Sequence, residues 1–277
     1  MKIRNALTID LEYWYSPELV RGFVVGNKDD LIMEMTKPML GILDEFGVSA
    51  TFFVLGEVAK KHPELVEEVY ERGHEIGSHA YSHKTLYELG KDKFENEINL
   101  SVQLLQHIIK EKPIGFRAPS FSVNNSTGWA FDVLEKHGFK YDSSIFPIRT
   151  KLYGVPNAPL HIYKPSADDV AKEDPNGKMI EFPMTVSEFG KRIPISGGFY
   201  LRAMPFWLSK SLLKKVNRTR AGMIYVHPWE TYSKTPRLKL PVSSRFITYY
   251  GIGSALNKLK GLLKNFDFAP VREVLEL

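Results

Sequence analysis

Two pairs of ionisable residues at short spacing could hold a metal ion and use it. His79 and His83 stand four residues apart, so both imidazoles would share one face if the segment is helical from His79 onward. Asp10 and Glu12 are two residues apart, so on an extended segment both carboxylates point to the same side. Two neutral imidazoles and one carboxylate form a common metal site with one position open for water. The second carboxylate would then be free to act as a base.

Three further ionisable residues follow predicted strands. Arg117 precedes Pro119, His227 is followed by Pro228, and Asp142 ends a short extended segment. A buried arginine needs a carboxylate partner, and a histidine at a strand end can act as a general acid. Each of these residues alone could instead be a surface ion pair or a core side chain. Their joint occurrence at strand ends favours one catalytic cleft.

The elements that would position these residues alternate along the chain. Apolar runs and turn residues predict strands at 6–9, 50–55, 75–78, 114–117, 140–142, 180–184 and 223–227. Helical spacing predicts helices at 31–46, 58–70, 94–109, 128–137, 205–216 and 252–263. Residues 146–177, rich in Pro and Gly, predict a loop-like insertion. We therefore expect an α/β fold with a parallel, barrel-like sheet in a single domain over 1–277, whose strand ends converge on one face.

Composition excludes several classes of site and partner. The chain of 277 residues has no cysteine, which excludes disulfides, thiolate metal sites and cysteine nucleophiles. The net charge of +5 predicts no nucleic-acid partner. Basic residues recur with apolar ones in 202–220 and 234–264; we favour solvated helix faces there, with a basic patch for membranes or anionic polymers as the alternative. Without a recognisable signal peptide or transmembrane run, a cytoplasmic location is expected, with peripheral membrane association left open.

In chain order, the motifs resemble those of the NodB-homology polysaccharide deacetylases, the carbohydrate esterase family that includes chitin and peptidoglycan deacetylases. The resemblance rests on five motifs: Thr8–Glu12, Ser78–His83, Arg117–Pro119, Tyr141–Ser144 and Val226–Pro228. The stretches Phe116–Ser122, Ser196–Arg202 and His227–Glu230 are most similar to the cytoplasmic branch associated with exopolysaccharide assembly. The resemblance implies an irregular (β/α) barrel of about seven strands.

It also implies a role for each residue. Asp10 is the base, and His79 and His83 ligate the metal. In many members the ligand carboxylate directly follows the base; position 11 is Leu here, so Glu12 is the substitute ligand. Zinc is expected first, with Co, Ni or Fe as alternatives. Arg117 would orient Asp10, His227 would be the acid, and Asp142 would assist one of them. Ser120, Phe121 and Trp229 would contact the substrate, with a backbone N–H of the Ser120 turn as oxyanion donor.

The expected activity is metal-dependent removal of N-acetyl groups from N-acetylated sugars of a polysaccharide or its precursor. One alternative is hydrolysis of a small cyclic amide, as in allantoinase-like members of the same superfamily. Another is a carbohydrate-binding relative without turnover, which the joint presence of Asp10, Arg117 and His227 disfavours. A glycosidase would need a second carboxylate pair at the strand ends, and the sequence offers none.

Overall fold

The computed structural model describes residues 3–26 and 28–277. Its strands are β1 (Arg4–Leu11), β2 (Thr51–Val54), β3 (Glu75–Ser78), β4 (Gly115–Phe116), β5 (Tyr141–Asp142), β6 (Ile180–Glu181), β7 (Val186–Phe189), β8 (Lys191–Pro194), β9 (Met223–Val226) and β10 (Asp267–Ala269).

The helices lie between and after these strands. They are α1 (Glu18–Arg21), α2 (Ile32–Phe46), α3 (Gly56–Lys61), α4 (Pro63–Glu71), α5 (Leu86–Ile109), α6 (Ala130–Lys136), α7 (Gly198–Ala203), α8 (Phe206–Val216), α9 (Pro228–Thr231), α10 (Val242–Tyr249), α11 (Ile252–Asn265) and α12 (Val271–Val274).

The main sheet is parallel and curls into a half-barrel around β1. From β1 the strands run in the order β2, β3, β4, β5 and β6, while β9 pairs with β1 at its other edge and β10 pairs with its first residues. Strands from both ends of the chain therefore build one sheet. This mixed α/β fold confirms the predicted class.

The central strands are apolar because helices cover them. Every residue of β2, β3 and β9 is buried, as are residues 5–11 of β1, which is typical of parallel sheets covered on both faces. Met39 and Leu43 of α2 pack in the same core cluster as Leu7 and Ile9 of β1. Burial on this scale fixes the strand ends, and with them the polar residues that follow.

Several elements differ from the sequence prediction. The predicted helix 58–70 is divided at His62 into α3 and α4 because Pro63 begins a new helix. Helix α5 begins eight residues earlier than predicted, where the Glu88 carboxylate accepts the Thr85 N–H at 2.9 Å; Gly90, at φ 71°, interrupts it. The antiparallel β7–β8 hairpin, α7, α10 and β10 were not predicted.

The predicted insertion at 146–177 contains no helix or strand, only isolated bridges such as Tyr163 with Glu181. Over the described ranges, no helix is long and apolar enough to cross a bilayer.

Candidate active site

Four strand ends meet at one pocket of about 140 Å³. Asp10 and Glu12 come from the end of β1, His79 and His83 follow β3, and His227 follows β9. Arg117, which follows β4, lies beneath them and is fully buried. The predicted convergence at the carboxyl ends of the strands is therefore present.

Glu12, His79 and His83 form a buried group that could hold a metal ion. One ligand atom of each lies within 4.8 Å of those of the other two. Oε2 of Glu12 lies 3.8 Å from Nε2 of His79 and faces Nε2 of His83. The chemistry of this donor set fits zinc and other divalent metals that accept imidazole and carboxylate.

Hydrogen bonds orient these side chains so that their remaining donor atoms are free to bind a metal ion. Nδ1 of His79 lies 2.7 Å from the carbonyl oxygen of Arg117; because a carbonyl only accepts, Nδ1 carries the proton and Nε2 is left free to ligate. Oε1 of Glu12 accepts the indole N–H of Trp229 at 3.1 Å, while the buried Oε2 has no hydrogen-bond donor among the described residues. The free donor atoms thus point at one another, as expected of metal ligands.

Electrostatics keep Glu12 ionised. Burial alone would raise its pKa, but the imidazoles of His83 and His227 hold the pKa of Glu12 well below its usual value. A carboxylate is the form that ligates a metal.

The segment from His79 to His83 is not helical, so that expectation was wrong. Ala80 and His83 adopt positive φ angles of 59° and 56°. The carboxylate of Glu97 on α5 accepts the N–H groups of Tyr81 and Ser82 at 3.2 and 3.1 Å. These amides are therefore not available for a helical turn, and a tight loop, not a helix face, brings the two imidazoles together.

Asp10 is oriented by Arg117 and keeps one oxygen free. Nη1 of Arg117 donates to Oδ1 of Asp10 at 2.6 Å, and also to Oγ1 of Thr8 at 2.8 Å. Nε and Nη2 of the same guanidinium donate to the carbonyl oxygen and the hydroxyl oxygen of Ser143, each at 3.0 Å. Oδ2 of Asp10 points to His227, whose Nε2 lies 3.8 Å away. The geometry leaves Oδ2 open toward the pocket.

His227 lies on the opposite side of the pocket and has its own carboxylate partner. Its Nδ1 lies 2.6 Å from Oε2 of Glu230, and its Nε2 lies 3.6 Å from Oε1 of Glu12. Burial would lower the pKa of His227, but the carboxylates of Glu12, Glu230 and Asp10 outweigh it and raise this pKa to about 9. The imidazole is therefore protonated at neutral pH, with Nε2–H toward the pocket.

Glu230 is in turn held by Arg202, which donates from Nε to Oε1 at 2.9 Å. Arg202 also donates to the carbonyl oxygens of Ile247 and Tyr250 at the end of α10. Its helix, α7, lies close to β9 because Gly197, at φ 148°, lets the chain approach the backbone of Tyr225, where any Cβ would clash. A continuous chain of contacts thus joins α10 to His227.

The turn after Arg117 offers a backbone donor. Ser120 and Phe121 have positive φ angles of 53° and 49° and line the pocket. The N–H groups of Ala118 and Phe121 are engaged, by Ser144 Oγ and the Ala118 carbonyl, whereas that of Ser120 has no acceptor among the described contacts. Such strained backbone is typical of functional sites. The predicted backbone donor is thus best represented by Ser120.

Asp142 and Trp229 have surroundings that differ from those expected. Asp142 makes no hydrogen bond to Arg117 or His227 among the described residues; it accepts from Ser144 at 2.5 Å and shares a buried site with Glu181. Side chains alternate along a strand, so Ser143 faces Arg117 and Asp142 faces away. Burial raises the pKa of Asp142 to about 6. Through Ser144, Asp142 supports the turn at Ala118.

Trp229 was expected to contact the substrate. Its ring is 5% exposed, stacks on His227 with the centroids 5.3 Å apart, and donates its N–H to Glu12. Its main contacts therefore position two site residues, although Trp229 also lines the pocket.

Three site residues were not identified from the sequence: Ser143, Arg202 and Glu230. For Glu230, a signal was available. It stands three positions after the residue that precedes a short helix, and an acidic residue at that spacing is typical of a capping box. Ser143 and Arg202 carried no such signal, since their partners lie 26 and 28 residues away in sequence.

Comparison with known proteins agrees with this architecture. Residues 23–141 match the family described as polysaccharide deacetylase, and residues 143–276 match DUF3473, a domain of unknown function. A peptidoglycan-N-acetylglucosamine deacetylase of Bacillus cereus is 35% identical over 99 residues, which cover 35% of this chain and 36% of that protein. The chain spans about a third to a half of the length of the curated relatives it matches.

Two solved structures share the fold over 99% of this chain, each with a TM-score of 0.62. One is a candidate polysaccharide deacetylase from Mycobacterium smegmatis, 20% identical and covered over 88% of its length. The other is an allantoinase, 13% identical and covered over 89%. Residues 23–141 are thus similar to the polysaccharide deacetylase family, and the chain shares the fold of these two structures and holds a buried Glu-His-His group in its pocket.

Proposed function

We propose that the protein is a metal-dependent hydrolase that removes N-acetyl groups from N-acetylated sugars of a polysaccharide or its precursor. The observation that carries the proposal is the placement of an oriented carboxylate and an imidazole beside a ligand group in one pocket. Oδ2 of Asp10 and Nε2 of His227 lie 3.8 Å apart, next to Glu12, His79 and His83. Amide hydrolysis needs such a base and acid pair.

Glu12, His79 and His83 would hold the metal ion. When bound there, the ion would polarise the acetyl carbonyl and lower the pKa of the attacking water. Zinc suits two imidazoles and one carboxylate with an open position, and Co, Ni or Fe would also accept these ligands.

Asp10 would act as the base. Arg117 occupies Oδ1 at 2.6 Å and leaves Oδ2 to take the proton from water as it attacks the acetyl carbon. Holding the carboxylate in one orientation reduces the entropy cost of reaching the transition state.

The Ser120 N–H would then donate to the carbonyl oxygen as negative charge develops on it. His227 would finish the reaction by donating its Nε2 proton to the departing sugar nitrogen, so that acetate and the free amine leave. Glu230, 2.6 Å from Nδ1, keeps the imidazole oriented and stabilises its positive charge.

The proposed substrate class is supported by the similarity to polysaccharide deacetylases and by the motifs. N-acetylglucosamine is named for the Bacillus cereus relative, and it is our first candidate sugar here. The stretches Ser196–Arg202 and His227–Glu230 support a role in exopolysaccharide assembly. They contribute the Arg202, Glu230 and His227 contacts described above. A cytoplasmic site of action is part of this proposal.

A small cyclic amide is the second candidate substrate, because the fold of the allantoinase is equally similar. The pocket wall favours the sugar: Leu19, Phe121, Phe199 and Ile247 give it an extended apolar lining against which the face of a sugar ring can pack.

The test measures acetate release from N-acetylglucosamine oligomers by metal-stripped protein with and without Zn or Co. Release that needs metal and falls by about 10³-fold in Asp10→Asn supports the proposal. Asp29→Asn, in an exposed loop, is the control and should release acetate normally. Ring opening of allantoin without acetate release would support the second candidate, and metal binding without either reaction would contradict both.

A further inference from the structure

The charges of this chain are strongly segregated. Of its 37 basic residues, fifteen lie between Phe189 and Phe266, whereas this stretch holds only one of the 32 acidic residues, the buried Glu230. The rest of the chain is therefore acidic overall. A modest net charge of +5 conceals a segment that would be attracted to anionic surfaces.

Helix α10 in this segment carries large apolar side chains in solvent. Val242 is 76% exposed, Phe246 51% and Tyr250, just after the helix, 48%. Arg245 on the same helix is exposed, as are Arg237 and Lys239 shortly before it. Apolar and aromatic residues flanked by basic ones are typical of helices that lie in a membrane interface.

This exposed surface is continuous with the wall of the pocket. Ile247 and Thr248 of α10 line the pocket, and so does Phe199, whose ring lies 5.7 Å from that of Phe246. Arg202 joins the end of α10 to Glu230. A surface bound at α10 would therefore lie at the mouth of the site.

We propose that Val242, Arg245, Phe246 and Tyr250 form a docking surface for an anionic lipid bilayer. The basic residues would be attracted to the anionic headgroups, while the aliphatic and aromatic side chains would enter the boundary with the acyl chains. An acidic polymer would satisfy the charges but would leave Val242 and Phe246 in water, so the bilayer accounts for both observations. The docking surface is independent of the proposed reaction.

The test is co-sedimentation of the full chain with vesicles of phosphatidylcholine, with and without 30% phosphatidylglycerol. A basic side chain near an anionic bilayer strengthens binding about fivefold, so we expect binding at least tenfold tighter to the anionic vesicles. In the double variant Val242→Asp with Arg245→Glu, binding should fall by at least tenfold. Val242 opens the helix, where an acidic residue is compatible with folding.

The matched control is Phe189→Asp with Lys191→Glu in the β7–β8 hairpin. This pair also lies in the basic segment and is exposed, with Phe189 at 74%, and it should change binding by less than twofold. Equal losses in both double variants, or equal binding to the two vesicle types, would overturn the proposal. Acetate release from soluble oligomers is measured alongside. If the wild type releases none, the proposed function fails while the vesicle result stands.

Discussion

The part of the chain before residue 142 and the part after it contribute differently to the pocket. The first part supplies the ligand group and the Asp10–Arg117 pair, each at or just after a short buried strand. The second supplies His227, its partner Glu230, and the arginine that holds that partner. Water activation would thus depend on the first part, and protonation of the leaving amine on the second.

The same two parts differ in how their residues are held. Arg117 is fully buried and contacts Thr8 and Asp10 of β1 and Ser143, which follows β5, so little can move. Arg202 instead donates to the end of α10, a helix with five residues exposed by more than a third. The proposed base, Asp10, is fixed by the sheet, whereas the proposed acid, His227, is connected to the surface through Glu230 and Arg202.

The largest effect that would test this division is expected for Glu12→Gln. Loss of the ligand charge should weaken zinc binding by more than about 100-fold, since outer partners of ligands alone contribute 10- to 100-fold. Acetate release should then fall to that of metal-stripped protein. Zinc titration measures the affinity, and Glu34→Gln, an exposed glutamate on α2, serves as the control. Tight zinc binding by the variant would remove Glu12 from the ligand group.

Glu230→Gln should have the next largest effect, and it should be confined to turnover. Without the carboxylate on Nδ1, His227 is less well oriented and its charged form is less stable, so kcat should fall about 10- to 100-fold. Zinc affinity should remain that of the wild type, because Glu230 contacts no ligand side chain directly. Glu188→Gln, exposed in the same part of the chain, is the control. A matching loss of zinc would contradict the division of labour.

Arg202→Lys should lower kcat about three- to tenfold with KM less affected. Lysine keeps the charge but lacks the planar guanidinium, whose three separate nitrogens reach Glu230 and the two carbonyl oxygens where they lie. The matched control is Arg192→Lys, because Arg192 also donates to three backbone carbonyls, those of Pro147, Pro156 and Ala158, far from His227. Comparable loss of kcat in both variants would mean that Arg202 acts only through stability.

The smallest expected effect is on the free energy of unfolding, and it comes from the part of the chain before residue 142. Burial lowers the pKa of His74 from 6.5 to about 4, so the unfolded chain binds a proton that the folded chain does not. The stabilising contribution is therefore complete above pH 6.5 and is lost as pH falls toward 4. Between pH 6.5 and pH 4, the free energy of unfolding of the wild type, measured in urea, should fall by on the order of 2 kcal/mol more than that of His74→Asn. Equal pH dependence in both proteins would contradict this.

Much of the fold could be predicted because the buried strands and amphipathic helices have distinct periods. Strands β1, β2, β3 and β9 were predicted to within three residues at either end, since β1, β2 and β9 are short and largely apolar and β3 is a short segment between two helical stretches. The β7–β8 hairpin was not predicted, because three of its eight strand residues are exposed and Lys191 and Arg192 interrupt any alternation. Helix α10 was missed for a similar reason, because its apolar residues face solvent.

The sequence by itself determined which ionisable residues end the strands. A parallel sheet then requires them to share one edge, so Asp10, Glu12, His79, His83 and His227 could be assigned to one pocket. Only the tertiary structure decided which atoms are free and which are held. Asp142 and Ser143 are adjacent, yet because side chains alternate along a strand, Ser143 contacts Arg117 and Asp142 contacts Ser144. The Arg202–Glu230 contact likewise depends on how α7 packs beside β9, and no local pattern encodes a contact over 28 residues.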